Sequence, residues 1–191
     1  MLLILFCTYD SCYHFIRPVN QNVFIITNLY QKEKIMALHI VMVNPEIPPN
    51  TGNIARSCAA TGSVLHLVKP LGFSIDDKHL KRAGLDYWPY VKLEVHDCLD
   101  DFMEQYDGRR MFLATTKGTN MYADVSYMDE DMILFGCETK GLPREFISEH
   151  EDMSIRIPMS EETRLRSFNL ANSANIILFE ALRQLGFPGL E

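Results

Sequence analysis

The sequence predicts an α/β domain with a mostly parallel, six-stranded sheet, and three observations carry that prediction. Short apolar runs alternate with helix-like segments from residue 36 onward. Several of the runs are rich in β-branched residues, which suit a pleated strand. The last segment carries an apolar stripe at three- and four-residue steps, closed by Gly186 and Pro188.

Taken in order, the strands are expected at 38–43, 64–68, 91–95, 111–114, 132–135 and 154–157. Asn50 and Thr51 are candidate caps for a helix over roughly 52–61, ended by Gly62. A second helix is expected from Asp97 to Tyr106, closed by Gly108. The third runs from about Asn169 to Leu185, with Leu170, Ala174, Ile177, Leu178, Ala181, Leu182 and Leu185 on one side. That stripe serves either the core or an interface.

Composition narrows the class. The chain has 191 residues, of which 47% are hydrophobic and 23% charged. That composition suits a globular protein with one good core and excludes a disordered chain. No stretch approaches the ~18 uninterrupted apolar residues of a membrane span. A formal net charge of −7 argues against holding nucleic acid by bulk charge, although it leaves room for a local basic face. Five cysteines, at 7, 12, 58, 98 and 137, form no CxxC pair, so neither a disulfide framework nor a zinc site is expected. Reduced thiols in a cytoplasmic protein, with no metal and no membrane association, are the reading that fits.

Residues 1–35 read differently: apolar and aromatic, with no clear period, no helix caps and no signal-peptide layout. Met36 directly precedes the first clean strand. The expected domain is therefore 36–191, with 1–35 as an extension upstream of a native start; an amphipathic appendage is the alternative.

In an open parallel sheet, ligands meet the loops beyond the strand C-termini. The first such loop, Asn44 to Arg56, is stiffened by Pro45, Pro48 and Pro49, and Asn53 and Arg56 share a helix face. An arginine near a helix start can meet a phosphate or hydroxyl, or can simply be solvated. The second loop, Leu134 to Pro143, has glycines at 136 and 141 but lacks the Lys-Ser/Thr of a Walker loop. There, glycine allows either a close approach to a ligand or a tight turn. The third presents Ser167 and Asn169 at the start of the last helix, where both are natural caps.

Together these stretches resemble the SPOUT superfamily of RNA methyltransferases, in its TrmH-like branch. The resemblance covers about residues 37–189 and rests on PEIPPNTGNIAR at 45–56, TTKG at 115–118, FGCETKGLP at 135–143, IRIPM at 155–159, RSFNLAN at 166–172 and EALRQLG at 180–186. The stretch GF-x-x-DDK-x-L-x-RAGLDY at 72–87 is similar to the group that methylates the wobble ribose of tRNA. Cys137 stands where relatives commonly have proline, and the stretch between Met159 and Ser167 is about two residues longer than usual.

The resemblance implies a C-terminal trefoil knot, a homodimer and an S-adenosyl-L-methionine pocket. It assigns the pocket to Ala114, Thr115, Gly136, Glu138, Gly141, Ile157, Ser167 and Phe168, read mostly through main-chain groups. It implies transfer of a methyl group to the 2′-hydroxyl of nucleotide 34 in the tRNA anticodon stem-loop. Arg56 matches the arginine given a catalytic role. A guanidinium with a pKa above ~12 is a poor base, so Arg56 is expected to contact ribose and phosphate and to favour the 2′-oxyanion. Asn53 and Asn169 are expected to orient the hydroxyl, and Glu138 to help hold the cofactor.

The RNA face is expected around Lys78, Lys81, Arg82, Lys117, Lys140, Arg144, Arg164 and Arg166, braced by Asp76 and Asp77. Tyr87 and Trp88 are candidates either for stacking on an unpaired base or for ordinary packing. The competing functions are methylation at another tRNA or rRNA position, and a non-catalytic knotted RNA-binding protein.

Overall fold

Seven strands align in one parallel sheet in the structure, a computed structural model that describes residues 37–75, 86–160 and 167–191. They are β1 (His39–Val43), β2 (Val64–Val68), β3 (Lys92–His96), β4 (Met111–Ala114), β5 (Asn120–Met121), β6 (Met132–Phe135) and β7 (Ser154–Arg156). Their spatial order is β3-β2-β1-β6-β4-β7-β5. Every described pairing is parallel. The described residues all fall in one compact unit. The 1–35 extension, Lys78, Lys81, Arg82, Arg164, Arg166, Asp76 and Asp77 lie outside the described residues.

The sheet thus has one strand more than expected. The addition, β5, is two residues long and pairs Asn120 with Ile155 and Met121 with Arg156. A segment that short has no periodicity to read, so only its partner β7 defines it.

The central strands are buried on both faces, as a parallel sheet between helices requires. On β1, Ile40 and Met42 join one core and Val41 and Val43 the other. The first core is covered by α1 (Pro48–Thr61) and α4 (Leu170–Gln184), the second by α2 (Leu99–Gln105) and α3 (Arg144–Glu149). The predicted α4 stripe therefore serves the core: Ala174, Ile177, Leu178, Ala181 and Leu182 are all buried there. No described helix is long and apolar enough to cross a membrane.

The helix ends explain where the sequence reading slipped. Helix α1 begins at Pro48, four residues before the expected start, with Pro48 and Pro49 in its first turn. Proline is preorganised for that position and has no N–H to cap. Asn50 and Thr51 consequently lie inside the helix, both buried, and the N-cap, Ile47, makes no side-chain cap bond. Gly62 ends α1 at φ +72°, as predicted. The second predicted helix is shorter than expected. Its cap is Cys98, whose Sγ accepts from Asp101 N at 3.4 Å, and Asp100 and Asp101 suit the positive end of its dipole. Helix α3, at six residues, was not expected from the sequence. Helix α4 is capped as predicted: Asn169 Oδ1 accepts from Ala171 N at 2.9 Å and from Asn172 N at 3.2 Å.

At the β3 edge, three histidines stack diagonally across three strands. His39 Nδ1 lies 2.8 Å from His66 Nε2, and His66 Nδ1 lies 3.0 Å from His96 Nε2. Assigning each ring an Nε2–H lets His96 donate to His66 and His66 to His39, whose own Nε2 faces Glu130 at 3.6 Å. Phe102 and Tyr106 pack edge-on against the central ring. Glu94 brings a third ligand-capable atom near His66 and His96, all within 4.8 Å. Yet 3.0 Å between the two nitrogens is a hydrogen-bond distance, and Glu94 already accepts from Tyr106 Oη at 2.5 Å.

Burial lowers the pKa of all three histidines, that of His66 to about 3, where the neighbouring histidines add to the effect. The folded state then binds fewer protons than the unfolded chain once pH falls below about 6.5, the ordinary histidine value. The stability from the neutral ladder is full above that pH and is lost as pH falls toward 3. We expect unfolding free energy to drop between pH 7 and pH 5, at up to about 1.4 kcal/mol per pH unit for each excluded proton. Urea titrations at stepped pH will measure the slope. His66→Gln should flatten it, and an unchanged slope would refute the ladder as its source.

Candidate active site

Because β1, β6, β4 and β7 are neighbours and parallel, the loops at their C-terminal ends open on the same side of the sheet. They enclose a cavity of about 610 Å³, within the usual range for a small-molecule site. All eight predicted pocket residues line it. Ala114 and Thr115 come from the end of β4, and Gly136, Glu138 and Gly141 from the loop after β6. Ile157 follows β7, and Ser167 and Phe168 precede α4. Asn169 also lines the cavity, whereas Asn53 and Arg56 do not.

Backbone alone forms the wall after β6 at Gly136 and Gly141. A Cβ on Gly136 would overlap the main chain of Gly141 and Leu142. Gly141 sits at φ +72°, which favours glycine, and its N–H donates to Cys137 O at 2.9 Å. A five-residue loop is thereby folded back on itself, so the two glycines in FGCETKGLP follow from a steric demand and a backbone demand.

Glu138 faces the cavity, but its carboxylate is engaged in another task. It accepts from Glu46 N at 2.8 Å, Ile47 N at 3.2 Å and Asn50 Nδ2 at 2.8 Å. Glu46 answers in kind, accepting from Thr139 N at 3.1 Å and Thr139 Oγ1 at 2.9 Å. Asn50 Oδ1 then accepts from Asn169 Nδ2 at 3.0 Å. One polar chain therefore ties the loops after β1 and β6 to the start of α4. Hydrogen bonds to an ionised group are the stronger kind. The sequence reading gives Asn50 only as a candidate helix cap and singles out no role for Glu46, since the partners of both lie in distant loops. Beside the role expected for Glu138 at the cofactor, the structure shows it bonded to the first loop.

Cations ring the opening. Lys117, Lys140 and Arg144 line the cavity and are exposed, so part of the predicted basic face lies at its mouth despite the acidic total. Asn53 and Arg56 lie farther along α1, about one and about two turns beyond Asn50, both exposed. Arg56 lies 4.5 Å above the centroid of the Tyr87 ring and 3.6 Å from Asp86. Tyr87 Oη donates to Gly52 O at 2.6 Å, and burial raises its pKa. Tyr87 and Trp88 both pack on the core beneath α1, which meets the packing alternative.

A family model described as the SpoU rRNA Methylase family matches residues 37–179, most of the chain. The chain belongs to that family. It is 48% identical over 153 residues to the Escherichia coli (strain K12) protein named tRNA (cytidine(34)-2′-O)-methyltransferase, covering 80% of this chain and 96% of that relative. A solved structure described as giving structural insights into the 2-OH methylation of C/U34 on tRNA superposes with a TM-score of 0.73 at 42% identity. That match covers 79% of this chain and 97% of the other. The AdoMet-bound rRNA methyltransferase of Sinorhizobium meliloti matches with a TM-score of 0.67 at 25% identity, over 78% of this chain and 57% of that one.

Two substitutions test the site. Gly136→Ala should abolish binding of S-adenosylmethionine in calorimetry, because the added methyl has no space. Glu138→Ala leaves three donors of the first loop without their acceptor. It should cost about 2 kcal/mol of stability in denaturant titration and weaken cofactor binding. Unchanged binding in both variants would contradict this architecture.

Proposed function

We propose that the chain is a tRNA 2′-O-methyltransferase that uses S-adenosylmethionine to methylate the ribose of the wobble nucleotide 34, cytidine or modified uridine, in the anticodon loop. The observation that carries this reading is the convergence of the family's three loop motifs on one backbone-walled cavity. The names of the relatives at about half identity support the substrate, and the AdoMet-bound neighbour supports the cofactor.

The cavity suits that cofactor in volume, and the close approach of Gly136 to the Gly141–Leu142 main chain leaves side-chain-free wall at both glycines. Ala114, Thr115, Gly136, Gly141, Ile157, Ser167 and Phe168 would hold it. The bound cofactor supplies an electrophilic sulfonium methyl group. Glu138 keeps the first loop seated against this wall through its three bonds.

Arg56 presents a permanent positive charge to the RNA. In our reading it contacts ribose and neighbouring phosphate and stabilises the charge that develops on the 2′-oxygen. Asn53 lies about one turn before Arg56 on the exposed side of α1 and can orient the hydroxyl by hydrogen bonding. Asn169 is engaged with α4 and Asn50, so its contribution is to hold the first helix in place. Lys117, Lys140 and Arg144 attract the anticodon stem-loop, making binding strongly salt-dependent.

The enzyme works in the cytoplasm as a homodimer. Phe179, half exposed on α4, offers apolar surface to a second copy. The C-terminal segment is threaded as a trefoil knot, in keeping with the SPOUT resemblance.

Transfer of labelled methyl from S-adenosylmethionine to bulk tRNA, followed by nucleoside mapping, tests the proposal. The expected product is a 2′-O-methyl at position 34, with Arg56→Ala reduced by about 10²-fold or more. Label at another position would overturn the substrate. No transfer despite cofactor binding would favour the non-catalytic RNA-binding reading.

A further inference from the structure

We propose that Tyr87 is a positioning residue for the methyl-transfer reaction, holding the Arg56 guanidinium at the angle from which it reaches the RNA. This inference rests on the assignment of Arg56 under the proposed function.

An arginine on an exposed helix surface has several rotatable bonds and no fixed direction. Arg56 is 65% exposed at its side chain, so the helix alone does not orient it. Tyr87 supplies two constraints from a different part of the chain. Its hydroxyl donates to Gly52 O at 2.6 Å, one helical turn before Arg56. Its ring, fixed by that bond and by packing on the core, lies beneath the guanidinium at 4.5 Å.

Gly52 completes the fit, because a Cβ there would already touch the hydroxyl at 3.4 Å. The carbonyl and the hydroxyl therefore meet with little space between tyrosine and helix. Asp86, at 3.6 Å from the guanidinium, limits rotation about the stack without covering it. A guanidinium held over an aromatic face is attracted to the ring while its fork of N–H donors can still take up further partners. The arrangement seats the guanidinium over the Tyr87 ring with one edge toward Asp86, while the side chain as a whole stays largely exposed, which suits a group that must engage a ribose and a phosphate.

The same contact gives a physical reason for a sequence pairing. The stretch ending in Gly84-Leu85-Asp86-Tyr87 and the stretch ending in Asn53-Ile54-Ala55-Arg56 are separated by some thirty residues. Their last residues meet.

A double-mutant cycle on the full chain, reading labelled methyl transfer to bulk tRNA, separates positioning from packing. Tyr87→Leu should lower kcat/KM for tRNA by about tenfold to a hundredfold, since small misplacements of a reacting geometry cost that much. The KM for S-adenosylmethionine should stay within about twofold, because Tyr87 does not line the cofactor cavity. In the Arg56→Ala background the same substitution should have no further effect. Tyr87→Phe keeps the ring and loses only the anchor, so it should retain more activity than Tyr87→Leu.

An equal fold-loss from Tyr87→Leu in both backgrounds would overturn the inference, because the residue would then act without Arg56. So would full activity of Tyr87→Leu beside an inactive Arg56→Ala. If Arg56→Ala itself retains full transfer, the assignment of Arg56 fails and this inference fails with it, a result distinct from the other two. Should Tyr87→Leu not fold, the Tyr87→Phe cycle decides by the same criterion.

Discussion

The candidate site depends on a carboxylate that binds two loops together. Glu138 sits on the loop after β6, and its partners, Glu46, Ile47 and Asn50, follow β1, its neighbour in the sheet. Some ninety residues separate the two loops in sequence, and the parallel register of β1 and β6 delivers them to the same end. Without a common anchor, two loops rising from adjacent strands would each be free to splay. The reciprocal bonds from Thr139 to Glu46 close the pair from the other side. The Asn50–Asn169 bond then carries the constraint to the last helix. A cavity made of loops thereby acquires walls with the rigidity of the sheet beneath it.

The architecture divides labour between the two faces of that sheet. One face packs α1 and α4, the helices that carry Arg56 and the Asn169 cap. On the other, α2 covers the histidine ladder at the β3 edge, a hydrogen-bonded network whose rings are stacked about 5 Å apart. Neutral imidazoles can satisfy one another in a buried row, whereas charged ones would repel and demand water. The polar residues of the core thus set a condition on the fold that its apolar residues do not.

Much of this was legible in the sequence, and the failures have physical causes. Four strands stood out as runs of buried, largely apolar residues, β3 and β7 through shorter apolar stretches at their positions in the alternation; β5 has two residues and carries no pattern. The pocket residues were found through a motif resemblance, since glycine and alanine lining a cavity leave no chemical signature of their own. Asn50 was misread as a cap by a rule that usually works. Pro48 and Pro49 had already opened the helix, which released the Asn50 side chain to bond Glu138 and Asn169. The resemblance placed Glu138 at the cofactor, and its bonds to Glu46, Ile47 and Asn50 could not be read beside that, because no local spacing encodes a contact between loops some ninety residues apart. Tyr87 is read from the sequence as a candidate for base stacking or ordinary packing, and its contact with Arg56 exists only in three dimensions.

The contact between Gly136 and the Gly141–Leu142 main chain bears on how this pocket can change over generations. A site recognised through side chains can alter its preferences one substitution at a time. Where main-chain atoms form the wall, a codon change replaces no recognising group, and at Gly136 any replacement collides with the backbone. An inhibitor that reads this wall would leave resistance mutations few places to arise.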